Sequence, residues 1–211
     1  MKTESIRRAV RFVGLVLPLT WAPRALVAQG TATGQSYGVG VTTATVNQKV
    51  GSAVLPAGEM LAQDQASDVA VAGLVTAQNV FALVNGGGTD GSDAVSSATL
   101  GTVSILNGLI TADGVVAMAT STIGNVNADG SSLANLVVNG VQVDNPAPNT
   151  QMSLPGVGYV VLNEQLPTSG GITVNMIHVV LQQAVLGLLG NVIGYRTTGN
   201  IIVGSASSSV N

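Results

Sequence analysis

Few residues of this chain could do chemistry, and His178 is the first of them. It is the only histidine in 211 residues and stands between Ile177 and Val179 in an apolar segment. A histidine held beside a nucleophile can act as a general base, and serines and aspartates are abundant, so a Ser-His-Asp triad stays open. A lone histidine in a strand is more often a hydrogen-bonded structural residue, so we predict no catalytic role for His178.

Glu164 is the second candidate, in the polar run Asn163-Glu164-Gln165 that follows an apolar segment. Glycoside hydrolysis needs a second carboxylate at a set distance, and none is evident, so we predict that Glu164 caps a strand end. Gly86-Gly87-Gly88 lacks the lysine of a phosphate loop, and no G-x-S-x-G nucleophile elbow exists. The absence of cysteine excludes thiol catalysis and zinc–thiolate sites. We therefore predict no enzymatic activity, no catalytic residue and no cofactor.

Two polar loops could offer oxygen ligands to calcium. The loop 85–93 (NGGGTDGSD) resembles a glycine-aspartate calcium turn but occurs once, and 125–131 (NVNADGS) begins like an EF-hand loop. In the second loop Leu136 stands where an EF-hand has its bidentate glutamate. We predict solvated turns and no metal site, with calcium binding by either loop left as an open alternative.

Residues 1–28 have the pattern of a secretory signal peptide. Basic residues precede the apolar run 12–22, and Ala28 precedes a plausible cleavage point. The apolar run is shorter than the roughly 18 residues that span a bilayer, so an uncleaved membrane anchor is the less favoured alternative. We expect export to the periplasm, the cell surface or the extracellular space, with 29–35 as a flexible leader.

Cleavage would leave an acidic chain with little positive charge. It would remove five of the seven basic residues and one of the ten acids, leaving Lys49 and Arg196 as the only cations. Nucleic acids and anionic headgroups need clusters of lysine and arginine, so neither is an expected partner. A membrane would be reached only through an uncleaved N-terminus or a docked membrane complex.

Composition and turn signals predict an all-β fold for 36–211, as a single domain. The chain is 46% hydrophobic but only 3% aromatic and 8% charged, with 27 glycines. A motif recurs at an offset of 35 residues, as AGLVTA at 72–77 and NGLITA at 107–112. Two copies indicate equivalent strands in an antiparallel β-sandwich or barrel-like domain with many short turns, and a β-solenoid is the alternative.

The positions of several strands can also be predicted. Asn139-Gly140 between apolar runs predicts a type I′ hairpin in which Val138 faces Val141, with both side chains on the buried side. Alternation over 172–179 predicts that His178 shares a face with Ile172, Val174 and Met176, opposite Ile177 and Val179. The leucine-rich segment 182–195 predicts a hydrophobic insertion, either a loop or a short helix, too short and broken to span a bilayer.

The later half of the chain resembles the choice-of-anchor P family of bacterial exported proteins. The resemblance covers roughly residues 100–206 and is carried by motifs in the family's order: Val103 to Asp113 (VSILNGLITAD), Gly130 to Leu133 (GSSL), Leu136 to Val141 (LVVNGV), Pro146 to Thr150 (PAPNT), Leu154 to Gly158 (LPGVG), Val161 to Gln165 (VLNEQ), Ile172 to His178 (ITVNMIH) and Gly199 to Ala206 (GNIIVGSA). It implies an exported, mostly β surface domain and no particular activity.

These observations together predict a non-catalytic, exported structural or interaction protein. We expect a protein partner or a homo-oligomer. The protein would either self-assemble or be an accessory subunit of a membrane-associated complex. The alternative is a secreted hydrolase or a carbohydrate-binding module.

Overall fold

The computed structural model describes residues 31–87 and 92–211, and these residues form sixteen β-strands and no helix. The predicted all-β class is confirmed. The predicted signal peptide 1–28 and the centre of the loop 85–93 lie outside the described residues. The strands are β1 (Ala32–Thr43), β2 (Asn47–Val54), β3 (Leu61–Val71), β4 (Val75–Gly87), β5 (Asp93–Leu100), β6 (Val103–Ile105), β7 (Ile110–Ala112), β8 (Gly114–Thr122), β9 (Asn125–Asn127), β10 (Ser132–Ala134), β11 (Val137–Val138), β12 (Val141–Gln142), β13 (Thr150–Leu154), β14 (Gly158–Thr168), β15 (Gly171–Leu186) and β16 (Val192–Val210).

Two antiparallel sheets face each other across one main core. The first has six strands in the order β13-β14-β15-β16-β1-β2, and the second has ten, with β10-β8-β5-β4-β6-β7-β11-β12 as its main path. Strands β1, β15 and β16 pack on β4, β5 and β8. The core consists of valine, alanine, leucine and isoleucine from both sheets, with Met176. The predicted sandwich is therefore confirmed, and the antiparallel pairing distinguishes it from a stacked solenoid.

The 35-residue repeat corresponds to strands that pair with the same neighbours from opposite sides. Val75 and Ile110 both pair with Ile105, and Ala82 and Ala117 both pair with Ala98. The turns of the two copies also match, because residues 72 and 73 and residues 107 and 108 all have positive φ. The repeat therefore builds two equivalent strands around the shared segment β5–β6, as the sequence predicts.

The Asn139-Gly140 hairpin forms with the predicted register. Val138 pairs with Val141, and the two turn residues have φ values of +49° and +77°, as a type I′ turn requires. The prediction that Val141 is buried is wrong, since 56% of its surface is exposed. β12 is the last strand on the main path of its sheet.

The first strand begins earlier than the sequence predicts. Residues 32–35, assigned above to the flexible leader, belong to β1 and pair with 207–210 of β16. Pairing with β16 holds this stretch in strand conformation, and Gln35 also pairs with Val54 of β2. The leader assignment is therefore wrong over 32–35.

One row of residues crosses five strands of the first sheet and interrupts its pairing. The registers of β14, β15, β16, β1 and β2 each skip one residue at this level, and we call the skipped row the crease: Asn163, Met176, Gly204, Gly38 and Gly51. In alternate strands the crease residue has a left-handed φ, of +48° at Asn163, +67° at Gly204 and +58° at Gly51. The inward–outward alternation restarts at the crease, so each strand turns two successive residues toward the core.

Candidate functional site

His178 lies on the outer face of the first sheet because of the crease. Five apolar residues of β15 point into the core on both sides of that row: Ile172, Val174, Met176, Ile177 and Val179. Thr173, Asn175 and His178 are therefore left on the outer face. The predicted face of His178 is wrong, because strict alternation holds only where the backbone of the sheet is regular.

The crease brings five polar side chains from three strands together, and we call them the polar cluster: Glu164, Asn175, His178, Asn200 and Ser205. Glu164 Oε2 accepts hydrogen bonds from Asn175 Nδ2 at 2.7 Å and from His178 Nδ1 at 3.0 Å. His178 Nε2 lies 3.1 Å from Asn200 Oδ1, and Ser205 Oγ donates to Asn175 Oδ1 at 2.7 Å. The cluster thus links β14, β15 and β16 across the outer face.

The hydrogen bonds of the cluster favour an ion pair between Glu164 and His178. The bond from His178 lowers the pKa of Glu164 most, burial opposes it with a smaller effect, and the bond from Asn175 lowers the pKa further. The bond to Glu164 raises the pKa of His178, and the bond to Asn200 adds to this. Because both ring nitrogens face oxygen acceptors, the imidazolium is the form that this arrangement holds.

Tyr37 and Lys49 extend the polar cluster toward the edge of the sheet. Tyr37 pairs with Ser205, and its ring lies over Gly40, where a Cβ would come within 2.8 Å of the ring. Lys49 Nζ lies 4.5 Å from the centroid of the same ring, within the range of a cation–π interaction. Burial raises the pKa of Tyr37, although its hydrogen bond with Ser205 acts in the opposite direction. The tyrosine is therefore a neutral, packed side chain.

The geometry of the cluster gives His178 no free nitrogen with which to act as a base. Its Nδ1 and Nε2 both have side-chain partners, and neither partner is a hydroxyl group. Glu164 has most of its surface covered, with 14% of its side chain exposed, and 19% of the His178 side chain is exposed. No buried side-chain nitrogen or oxygen of the described residues lacks a hydrogen-bond partner. What this arrangement does is hold three strands together.

Glu164 does not cap a strand end, contrary to the sequence prediction. It lies inside β14, where it pairs with Asn175 of the neighbouring strand. From the sequence we predicted separate roles for Glu164 and His178, whereas the structure brings the two side chains into contact. The signal that could have paired them is the fourteen-residue spacing across the β14–β15 hairpin, but that spacing becomes informative only once the register is known.

The two polar loops were predicted to be solvated turns, with calcium binding as the alternative, and the described part of the chain offers no cluster of acidic side chains for a cation. Among the described residues no three histidine or acidic side chains converge on one point. In the loop 125–131, Asn127 Oδ1 accepts a hydrogen bond from the backbone N–H of Asp129, and Ser131 Oγ bonds to both backbone groups of Met118. These oxygens therefore stabilise a turn. Residues 88–91 of the other loop lie outside the described residues.

The predicted hydrophobic insertion is a β-ribbon, neither a loop nor a short helix. Beyond Leu181 in β15 and Gly199 in β16, neither β14 nor β1 provides a further pairing partner. Strands β15 and β16 continue together to Leu186 and Val192, and we call the segment 182–197 the arm. Seven apolar residues of the arm are exposed: Val185, Leu186, Leu188, Leu189, Val192, Ile193 and Tyr195. Leu188 and Leu189, at the turn, have almost no contact with the rest of the protein.

An open cleft lies at the base of the arm. It has a volume of about 470 Å³ and is bounded by the turn 155–157, by Gln151 and Tyr159, and by Ala184 and Tyr195 of the arm. The residues that line it include Tyr159 and Tyr195 but no carboxylate, histidine, lysine or arginine.

Comparisons with known proteins return no match for this chain among family models, curated proteins or solved structures. The resemblance to the choice-of-anchor P family therefore stays a prediction. Within the described residues there is no helix of the length and hydropathy that crossing a bilayer requires.

Proposed function

We propose that this chain is an exported, non-catalytic structural or interaction protein of the cell surface, the periplasm or the extracellular space, and that it acts through the arm. The observation that carries the proposal is the exposure of Leu188, Leu189 and their neighbours at the end of a projecting ribbon. Exposed apolar patches of this kind commonly mark interaction sites. The arm would engage a second copy, a protein partner or a membrane-associated complex to which the chain is an accessory subunit.

The polar cluster supports the non-catalytic part of the proposal. A base must have a nitrogen or oxygen free to take a proton from a substrate, and His178 has both nitrogens bonded within the protein. The cluster also ties β14, β15 and β16 together close to the base of the arm. A rigid base favours binding by a projecting element, because the residues of that element then lose little conformational entropy when the partner binds.

Sedimentation velocity over a range of protein concentrations tests the interaction role. The expected result is association that is lost when Leu188 and Leu189 are both replaced by Asn, and kept when Ile123 is replaced by Asn. Ile123 is the matched control, because it is exposed and apolar but lies in the turn between β8 and β9. Co-purification with detergent-extracted complexes, using the same variants, tests a foreign partner. Equal behaviour of all three proteins in both assays would refute the arm as an element that binds protein.

A hydrolase and glycosidase substrate panel tests the non-catalytic part. The expected result is no turnover by the protein and no difference in a His178→Ala variant whose fold is verified by circular dichroism. Turnover that disappears with His178 would overturn this part of the proposal and favour a secreted hydrolase.

A further inference from the structure

The apolar residues of the arm cover both of its faces. Val185 and Leu186 are successive residues of β15 with no residue inserted between them, so their side chains point to different faces of the ribbon. On the partner strand Val192 pairs with Leu186 and Ile193 is the extra residue of a bulge, and all four side chains are exposed. A surface that docks on one protein partner needs one apolar face. A tip that presents apolar side chains on both faces, with Asn191 as its one polar side chain, fits an environment that surrounds it.

Polarity changes in steps from the tip of the arm to its base. Leu188 and Leu189 lie in the turn. Tyr195 pairs with Ala184, which is four residues before Leu188, and Arg196 pairs with Gln183, one residue closer to the base of the arm. Arg196 Nη2 also donates a hydrogen bond to Gln183 Oε1 at 3.2 Å. The order from apolar residues to tyrosine to arginine is the order of environments from lipid tails through the interface to the headgroups.

The dimensions of the arm fit shallow insertion into one leaflet. Four residues at about 3.3 Å each put the leucine turn roughly 13 Å beyond Tyr195. Interfacial elements bury their apolar residues by about 5–10 Å, and half of the hydrocarbon core is about 15 Å thick. The tip therefore reaches the lipid tails of one leaflet, with Tyr195 at the boundary.

The backbone and the charges of the arm are compatible with a lipid environment. The strands of the arm pair with each other, and the turn is closed by bonds from the N–H of Gly187 to Asn191 O and of Gly190 to Gly187 O. The backbone groups on the two outer edges of this ribbon have no strand partner, so the arm suits shallow insertion, where water of the headgroup region satisfies them. No aspartate or glutamate follows Glu164 in the sequence, so no carboxylate of the arm opposes insertion.

From these observations we propose that the partner of the arm is a lipid bilayer, into which Leu188, Leu189 and the adjoining apolar residues insert. The inference rests on the proposed interaction role of the arm and names the chemistry of its partner. A protein interface of ordinary stability involves 20–30 residues on each side, whereas the apolar part of the arm has seven. Because the described chain has only Lys49 and Arg196 as cations, insertion depends on apolar burial and not on anionic lipid.

A single tryptophan placed at the tip tests the insertion directly. Trp21 is the only tryptophan of the chain, so L188W in a Trp21→Phe background carries one probe, and I123W in the same background is the matched control. With phosphatidylcholine vesicles we expect a blue shift and protection from aqueous quenchers for L188W only. Added phosphatidylglycerol is not needed for this effect.

Vesicle flotation with the arm variants completes the test. We expect replacement of both Leu188 and Leu189 by Asn to lower the partition coefficient by more than about tenfold relative to Ile123→Asn. All variants share the same N-terminus, so any binding through residues 1–28 is common to them. An L188W emission unchanged by vesicles would overturn the lipid inference.

The outcomes separate this inference from the proposed function. Arm-dependent self-association in sedimentation without a vesicle response would mean that the arm binds protein, which overturns the inference alone. Arm variants that behave as the unsubstituted protein in sedimentation, co-purification and vesicle assays would overturn both.

Discussion

Replacing Glu164 and His178 by Gln, singly and together, measures how strongly the ion pair of the polar cluster stabilises the fold. The double-mutant cycle isolates the pair, since the Asn175 and Asn200 contacts are common to the compared proteins. A hydrogen bond between charged groups contributes roughly 1.5–3 kcal/mol to the free energy of unfolding. Both side chains keep some solvent exposure, 14% and 19%, which screens the charges. We therefore expect a coupling energy of about 1.5 kcal/mol where both groups are charged.

The pH dependence of the coupling follows from the directions of the two pKa shifts. The pKa of Glu164 is lowered from its ordinary value of 4.5, so its contribution is present above that value and is lost as pH falls through the folded-state pKa. The pKa of His178 is raised from its ordinary value of 6.5, so its contribution is complete below that value and is lost as pH rises through the folded-state pKa. The coupling is therefore greatest between about pH 4.5 and 6.5.

Urea unfolding of the four proteins at pH 5.5 and pH 9 provides the measurement. At pH 9 the imidazole is expected to be neutral, so the attraction between opposite charges is lost and only a hydrogen bond to the carboxylate remains, and the coupling should fall to about 1 kcal/mol or less. A coupling energy that is equal at the two pH values, or larger at pH 9, would refute the ion-pair assignment.

Three further results are expected. Gly204→Ala should lower the free energy of unfolding in urea by about 2–4 kcal/mol, since φ is +67° and a Cβ would lie 2.6 Å from Val115 Cγ1. Gly108→Ala is the control, because φ is +87° there but the space around it is open, and it should lower the free energy of unfolding by only about 1–2 kcal/mol. Ser121→Ala should cost about 1–2 kcal/mol by the same measurement, because it removes a buried hydrogen bond of 2.8 Å to a serine of β16, and an unchanged midpoint would contradict that bond. The melting temperature should be the same in calcium and in chelator, and a calcium-dependent rise would show that the loop 125–131 or 85–93 binds the ion.

The backbone conformation could be predicted from the sequence wherever a short run of residues determines it. Asn139-Gly140 specifies a turn that few other residue pairs favour, and its register follows from the length of the loop. The 35-residue repeat could be recognised because both copies keep similar residues at the turn and in the strand. Both signals lie within a few neighbouring residues, so no knowledge of long-range pairing is needed to interpret them.

The crease could not be predicted because its members come from distant parts of the chain. Four of them lie in segments of polar or small residues and give no local sign of the row: Gly38, Gly51, Asn163 and Gly204. Only the pairing of the strands brings them together. The face of His178 depends on that row, and so does its contact with Glu164. Glycines inside predicted strands were the available signal, since a strand interior tolerates them mainly at bulges and close approaches.

The arm shows a different limit of sequence analysis. Its composition identified the segment 182–195 as apolar, yet leucine density and three glycines favour a loop or a helix as readily as a strand. The strand conformation is set by β15 and β16, which already run side by side for more than ten residues before the arm begins. Tertiary context therefore overrides the local preference.

The pairing of β1 with β16 constrains the order in which the protein can fold. Ala32 is opposite Val210, and the N–H of Thr31 donates to Asn211 O, so the first described strand finds its partner only at the last residues of the chain. The first sheet cannot close before residue 210 has been synthesised, and contacts of such high sequence separation make folding slow. A circular permutant that joins residues 31 and 211 should therefore fold faster.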